Sequence, residues 1–268
     1  MTSRSRIVAR SLALALAVGV SFGLAGCGNE NTGKGLASAD GADITYAREA
    51  LPKDDIMRAT YEAAMKAKSA HMTMTMSGKA KLSAKGDIVY GARQPAMSMT
   101  MSMPQMAKGR LEMRLVGGVI YMQLPGLTPP GKFVAIDPKD KASMLAKSFA
   151  GTADQMDPLK SLRTAEKAVQ SADRVGKQTL GGVEVDHYKV VVDTAALVKG
   201  LDPAAAKQAQ IPETVTYDMW LDAENLLRRM SFAMSGVEFE AEMSRWGKPV
   251  TVQSPAPGDI VTMPTPQA

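Results

Sequence analysis

The sequence predicts an α+β fold, a single domain in which a strongly curved antiparallel β-sheet carries helices over one face. Many short segments alternate apolar and polar residues, which is the period of a strand with one buried face. Stretches of helical periodicity precede these segments and interrupt them near the middle of the chain. Hydrophobic residues make up 45% of the 268 residues, which is enough for a sizeable core.

Composition excludes several kinds of site. The chain has two histidines and one cysteine, so an intramolecular disulfide or a site with several His or Cys ligands is ruled out. The formal net charge is +5, but Arg4, Arg6 and Arg10 contribute three of these charges before residue 26. No block of basic residues interleaved with aromatics follows, so we expect no nucleic-acid partner.

The N-terminus has the pattern of a secretory signal peptide. A basic stretch precedes the apolar run at residues 11–22, which is shorter than the ~20 residues that span a membrane. The sequence Leu-Ala-Gly at residues 24–26 leads directly to Cys27, as in the bacterial lipobox. We predict that residues 1–26 are removed and that acylation of Cys27 anchors the chain to the extracytoplasmic face of the cell membrane.

Three further regions follow the signal peptide. Residues 27–43 comprise the lipidated cysteine and a Gly-, Asn- and Ser-rich segment, which we predict to be a flexible tether. Residues 44–253 hold the periodic segments and form the predicted domain. Residues 254–268 contain four prolines and are predicted to be a loose tail.

The elements of the first half are one helix and a meander of strands. Residues 54–70 have helical spacing, with acids at the start and bases at the end, as the helix dipole favours. Gly117-Gly118 is typical of a hairpin turn. The predicted strands are residues 71–79, 87–90, 96–103, 110–116, 119–124 and 133–136.

Helical periodicity then returns before a second set of strands. The predicted helices are residues 139–149, 158–171, 193–200 and 203–209. The predicted strands are residues 173–180, 183–192, 214–221, 226–234 and 237–246. The eleven strand-like segments predict a sheet of about ten strands. A sheet of this length with one apolar face needs cover, and few helices are available to give it. A partner or a bound apolar ligand would complete that cover.

Methionine is frequent on the predicted faces, with 20 in the chain against 5% aromatic residues. Seven lie at alternate positions of two strands: Met72, Met74, Met76, Met97, Met99, Met101 and Met103. Three interpretations stay open. They are ordinary core, they line an adaptable apolar cavity, or they bind Cu(I) together with His71, since thioethers select that ion.

The sequence has no recognisable arrangement for catalysis. His71 and His187 lie in or beside predicted strands, and the glycine pairs at 117–118 and 181–182 are typical of turns. Nucleophile-elbow, zinc-protease and phosphate-loop motifs do not occur. We therefore expect no enzymatic activity and no cofactor, and no metal site unless the copper alternative holds.

Several of these features together resemble the LppX/LprG-type lipoproteins of actinobacteria, which share the fold of the LolA/LolB lipoprotein carriers. The lipobox, the polar tether and the helix before a Met/Thr-alternating strand are the first of them. The others are mid-chain helices followed by VEVDHYKVVVD at 183–193, then YDMWLD at 217–222, LLRR at 226–229 and WGKPV at 246–250. The resemblance covers about residues 45–253.

This resemblance implies a half-barrel sheet wrapped around a helical insertion, with a hydrophobic cavity between them. It also implies binding of acylated lipid or glycolipid and its carriage across the cell envelope, with an envelope transporter as a candidate partner. The cavity lining that we predict in the first half is Met72, Met74, Met76, Met97, Met99, Met101, Met103, Leu111, Met113, Leu115, Ile120 and Met122. In the second half it is Tyr217, Met219, Leu221, Met230, Phe232 and Met234.

Two rivals to a lipid carrier remain. One is a structural or sensory envelope lipoprotein whose sheet face is a filled core. The other is a Met-rich Cu(I)-binding lipoprotein.

Overall fold

The computed structural model describes residues 48–79, 81–90, 95–104, 110–140, 158–197 and 211–262. Helix α1 (Lys53–Ala67) is followed by six strands. These are β1 (Ser69–Gly78), β2 (Leu82–Val89), β3 (Ala96–Ser102), β4 (Leu111–Val116), β5 (Val119–Gln123) and β6 (Val134–Ile136).

Helix α2 (Pro158–Ala168) begins the second half of the chain. The elements after it are β7 (Val169–Leu180), β8 (Val183–Asp193), the single turn α3 (Thr194–Leu197), β9 (Thr214–Asp222), β10 (Leu227–Met234) and β11 (Val237–Ser244). A 3₁₀ turn at Pro257–Asp259 lies near the end of the described chain.

The eleven strands form one open, curved half-barrel sheet in the order β6-β5-β4-β3-β2-β1-β11-β10-β9-β8-β7. Every pairing between these strands is antiparallel. Two meanders therefore meet where β1 pairs with β11. We call β1–β6 the N-terminal half and β7–β11 the C-terminal half. The predicted fold class is confirmed, with eleven strands where about ten were expected.

The helices lie on the C-terminal half and at its junction with β1. Helix α1 packs against β1, β7 and α2, while α2 also packs against β7 and β8. The buried side of α1 includes Ile56, Met57 and Tyr61. No helix among the described residues is long and apolar enough to cross a membrane.

Both long helices end earlier than their periodicity predicts. Helix α1 stops at Ala67 because Lys68 adopts a left-handed conformation (φ 69°) and donates its N–H to the carbonyl of Ala64 at 3.0 Å. Helix α2 stops at Ala168 because the chain pairs with β8 from Val169 onward. The predicted helix at 203–209 and most of that at 139–149 lie outside the described residues.

Strand β2 is longer than predicted, because Gly86 and its polar neighbours hide the alternation. It pairs with β1 along its whole length. A Cβ atom on Gly86 would lie 2.0 Å from the carbonyl oxygen of Ser98 on β3. Glycine is therefore required here for β2 and β3 to approach one another.

The chain after β11 is docked, which corrects the loose tail predicted from residue 254. Phe133 donates its N–H to the carbonyl of Asp259 at 2.8 Å, and Val261 donates to the carbonyl of Phe133 at 2.8 Å. These bonds place the segment beside the short edge strand β6 as far as residue 262. The prolines of this segment interrupt any alternation of apolar and polar residues. The sequence therefore gave no sign that the segment pairs with β6.

Candidate functional site: the apolar face of the sheet

One face of the sheet carries a continuous apolar surface, which we call the inner face. Residues that oppose one another in paired strands point to the same side, so the register defines this face. One row across seven strands is Met243, Met72, Gly86, Met99, Met113, Met122 and Val134. A second row is Val190, Tyr217, Phe232, Phe239, Met76 and Leu82.

The predicted lining residues share this inner face. Seventeen are placed there by strand register, and Met103 follows β3 in the same alternation. Fifteen of the eighteen are buried, while Met74, Met76 and Met234 are partly buried and pack against the same cluster. Fully burying a side chain of this size contributes ~1.5–3 kcal/mol.

The inner face also includes residues that the sequence reasoning missed. Phe239, Ala241 and Met243 alternate with three glutamates along β11, so the signal was present in the sequence. Tyr188, Val190 and Val192 lie on β8, where Val185 is equally buried on the other side. Both sides of β8 are apolar, and periodicity alone does not assign its faces.

Burial along the inner face falls toward one end of the central strands. Met76, Leu82, Met234 and Val237 are half-buried, and they lie beside the β1–β2 and β10–β11 turns. Deeper in the same strands, Ala241, Ala84 and Met230 are buried, while Met74 between Ala241 and Ala84 is partly buried. We call these four half-buried residues the apolar mouth, because they are the accessible part of the inner face at this end.

The opposite end of the inner face holds a buried charge cluster. Asp186 points inward from β8, with its carboxylate 2.8 Å from Arg174 and 3.8 Å from Arg48. Arg174 also donates to the carbonyl of Arg48 at 2.7 Å, and Leu51 donates its N–H to the hydroxyl of Tyr188 at 3.0 Å. The cluster therefore fastens the segment before α1 to the C-terminal half.

The aromatic residues of the inner face are packed in a series. The Tyr217 and Phe232 ring centroids are 5.0 Å apart, and those of Phe232 and Phe239 are 4.8 Å apart. Burial raises the pKa of Tyr217 to about 12, because the charged phenolate is disfavoured in apolar surroundings. The pKa of Tyr90 is raised further still for the same reason.

Both histidines lie on the outer face and pair with carboxylates. His71 Nδ1 is 2.8 Å from Asp87, and His187 Nε2 is 2.6 Å from Asp218. His187 also stacks on Trp220 with ring centroids 4.5 Å apart. Within the described ranges, no three His, Cys, Asp or Glu side chains gather as metal ligands would.

A curved, open antiparallel half-barrel with one continuous apolar face is the fold of a class of envelope lipoproteins. The chain belongs to the LppX_LprAFG lipoprotein family, whose model matches residues 53–252. This match confirms the resemblance in the sequence. The search of curated protein sequences gave no match.

Two solved structures of lipoproteins have a similar fold. LprF from Mycobacterium bovis is 16% identical, with a TM-score of 0.51 over 76% of this chain and 97% of that one. Lipoprotein LppX from Mycobacterium tuberculosis is 17% identical, with a TM-score of 0.51 over 75% and 98% of the two chains. At these identities the similarity shows the fold alone.

Proposed function

We propose that this protein is a membrane-anchored envelope lipoprotein that binds acylated lipid or glycolipid against its inner face and carries it across the envelope without catalysis. The observation that carries the proposal is the inner face itself. It runs unbroken across both halves of the sheet, and at one end it is partly accessible at the apolar mouth. An acyl chain is the ligand whose chemistry matches such a surface.

Methionine suits this role better than it suits a fixed core. Thioether side chains are unbranched and adapt to irregular shapes, whereas β-branched residues pack more rigidly on a sheet. Each methylene removed from water is worth ~0.8 kcal/mol. About ten buried methylenes therefore contribute roughly 8 kcal/mol, enough to compete with a membrane for the lipid.

The lipid anchor on Cys27 supplies proximity to the membrane in this proposal. Stable attachment needs more than one acyl chain, which a lipidated N-terminal cysteine provides. The protein would then exchange its cargo with the membrane or with an envelope transporter.

Native mass spectrometry of residues 28–268 tests the proposal directly. This form keeps all the described residues and lacks only the leader and the anchor cysteine. We expect an adduct when the protein is purified from a host with a related envelope. Organic extraction of the sample should remove the adduct and release an acylated lipid. A clean mass after purification from such a host contradicts the proposal and favours a filled core.

A pair of matched variants locates the binding face. Changing Met99 and Met101 to Asp places two charges on the inner face, so we expect lipid loading to be lost. Changing Ser98 and Thr100 to Asp, at the alternate positions of the same strand, should leave it intact. Circular dichroism establishes that each variant is folded. Retained loading in a folded Met99→Asp/Met101→Asp protein contradicts the lining.

The copper alternative predicts a different result from conservative changes. Replacing the same methionines with Leu keeps their volume and apolarity, so lipid binding should survive. Stoichiometric Cu(I) binding that disappears in those Leu variants would favour the copper alternative instead.

A further inference from the structure

The turns beside the apolar mouth carry unpaired positive charge. Lys79 and Lys81 lie in the β1–β2 turn, and Arg110 lies just before β4 at the same end of the sheet. All three are exposed, and no ion pair within the described residues involves them. The acid opposite this turn is Glu238, which accepts a hydrogen bond from Ser77 at 3.0 Å.

An exposed leucine extends this basic edge. Leu127 is 62% exposed in the connection between β5 and β6, at the same end of the sheet. Its turn is held by N–H bonds from Leu127 and Thr128 to the carbonyl of Leu124, at 3.0 and 2.9 Å. A leucine displayed on an ordered turn loses little conformational freedom when it enters an apolar environment. Four strand spacings of ~4.8 Å separate this connection from the β1–β2 turn, about 20 Å in all.

The other half of the sheet differs at this same end. Its described strand ends there carry Asp193 and Glu213, and exposed Lys167 lies two residues before β7. Among the described residues at this end, an exposed leucine and several exposed basic residues occur together on the side that adjoins the mouth. This combination is complementary to a membrane surface with anionic head groups, where basic residues bind phosphates and an apolar side chain inserts between lipids.

We propose that the edge formed by Lys79, Lys81, Arg110 and Leu127, which we call the basic rim, docks the protein on an anionic lipid surface. Docking brings the apolar mouth against the membrane, so an acyl chain can move between bilayer and inner face without crossing water. The inference rests on the proposed function only for this last step. Docking itself depends on the rim alone.

A backbone hydrogen bond fixes the position of Lys79 in the basic rim. Lys79 donates its N–H to the carbonyl of Gly236 at 3.0 Å, which joins the β1–β2 turn to the β10–β11 turn. A Cβ atom on Gly78 would lie 2.2 Å from that same carbonyl oxygen. Substitutions should therefore change the lysine side chains and leave both glycines alone.

Sedimentation with vesicles tests the rim. The probe is the chain of residues 28–268 with phosphatidylcholine vesicles, with or without phosphatidylglycerol. We expect binding to the anionic vesicles that weakens as salt is added. Changing Lys79 and Lys81 to Gln should weaken it roughly thirtyfold, since each basic residue near an anionic surface contributes about fivefold. Leu127→Ser should weaken it about tenfold.

Matched controls come from the other half of the sheet. Changing Lys177 and Lys189 to Gln removes the same net charge, and Val175→Ser removes an apolar side chain that is 53% exposed on edge strand β7. Both should bind vesicles like the unmodified chain. Absence of binding to anionic vesicles, or an equal loss in the control variants, overturns the basic rim.

Lipid loading, measured by native mass spectrometry on the same samples, separates this inference from the proposed function. The rim variants should keep their loaded lipid, because none of the changed side chains belongs to the inner face. If the unmodified chain carries lipid but does not bind anionic vesicles, membrane docking by the basic rim is contradicted and the proposed function is not. Vesicle binding without loading supports the rim and contradicts lipid carriage.

Discussion

The two halves of the sheet share one apolar face but build it from different side chains. In the N-terminal half the inner face has nine methionines, and the one buried ring that continues its alternation among the described residues is Tyr90, directly after β2. The C-terminal half has four aromatic residues: Tyr188, Tyr217, Phe232 and Phe239. Helices α1 and α2 pack mainly on this second half and on β1. One half is therefore stiffened by rings and helices, whereas the other is lined by side chains that change shape easily.

The difference extends to buried charge. The C-terminal half holds Asp186, whose side chain is only 6% exposed, between two arginines. In the N-terminal half the corresponding carboxylate pair is Asp87 with His71, at the outer surface. We infer that the C-terminal half is the fixed frame of the molecule. In the proposed function, the N-terminal half is then the part that would accommodate a ligand of variable shape.

The prediction with the largest expected effect tests whether the C-terminal half is the rigid part of the molecule. Asp186→Asn removes the charge that compensates Arg48 and Arg174, and breaking a buried pair of this kind costs about 3 kcal/mol or more. Urea denaturation measures the loss in the free energy of unfolding. Asp87→Asn breaks a partly exposed pair and should cost less than about 1 kcal/mol. Equal losses in the two variants would contradict the assignment of the frame to the C-terminal half.

A second pair of variants compares the strand geometry of the two halves. Gly86→Ala places a methyl group 2.0 Å from the Ser98 carbonyl oxygen, so β2 and β3 must separate. We expect a loss of about 2–3 kcal/mol in the free energy of unfolding. Gly176 in β7 has open space at the same position, and Gly176→Ala should change stability by less than about 0.5 kcal/mol. A tolerated Gly86→Ala would show that β2 and β3 can move apart freely.

Alkaline pH should destabilise the protein through its buried tyrosines, Tyr217 in the C-terminal half and Tyr90 beside β2 in the N-terminal half. The pKa of Tyr217 is raised from 10.0 to about 12 in the folded protein, so between these values the unfolded chain releases a proton that the folded chain keeps. The free energy of unfolding therefore falls as pH rises through this window, by roughly 1–2 kcal/mol for this residue. Tyr217→Phe should reduce the fall, measured by urea denaturation at pH 10 and pH 12. An unchanged slope would mean that Tyr217 is not the buried phenol responsible.

The two halves also differ in how well the sequence predicted their inner face. Strict alternation in β1, β3 and β4 gave the inner face of the N-terminal half residue by residue, because polar partners there mark the outer side. In the C-terminal half β8 is apolar on both sides, and its face emerged only from the register with β9. The charge around Asp186 depends on Arg48, far away in sequence, and no local pattern contains that information.

The last comparison tests ligand range rather than stability. Replacing Met97, Met99, Met101 and Met113 with Leu keeps the volume of the N-terminal lining, so each change should cost less than about 1.5 kcal/mol. Leucine has fewer rotatable bonds than methionine, and the altered wall should adapt to fewer ligand shapes. We therefore expect loading with one acyl-chain length to persist while the range of accepted lengths narrows. Native mass spectrometry after incubation with a mixture of chain lengths measures that range.

Phe232→Leu is the matched change in the aromatic half. It removes a ring from a wall that is already rigid, so the range of accepted chain lengths should stay the same even though stability falls. The two variants should differ in the range of accepted chain lengths only if the methionine side chains are what lets the wall adapt to different ligands. If the quadruple Leu variant accepts the same mixture as the unmodified chain, the Met-rich wall acts as ordinary core. Ligand range would then have to be set elsewhere on the inner face.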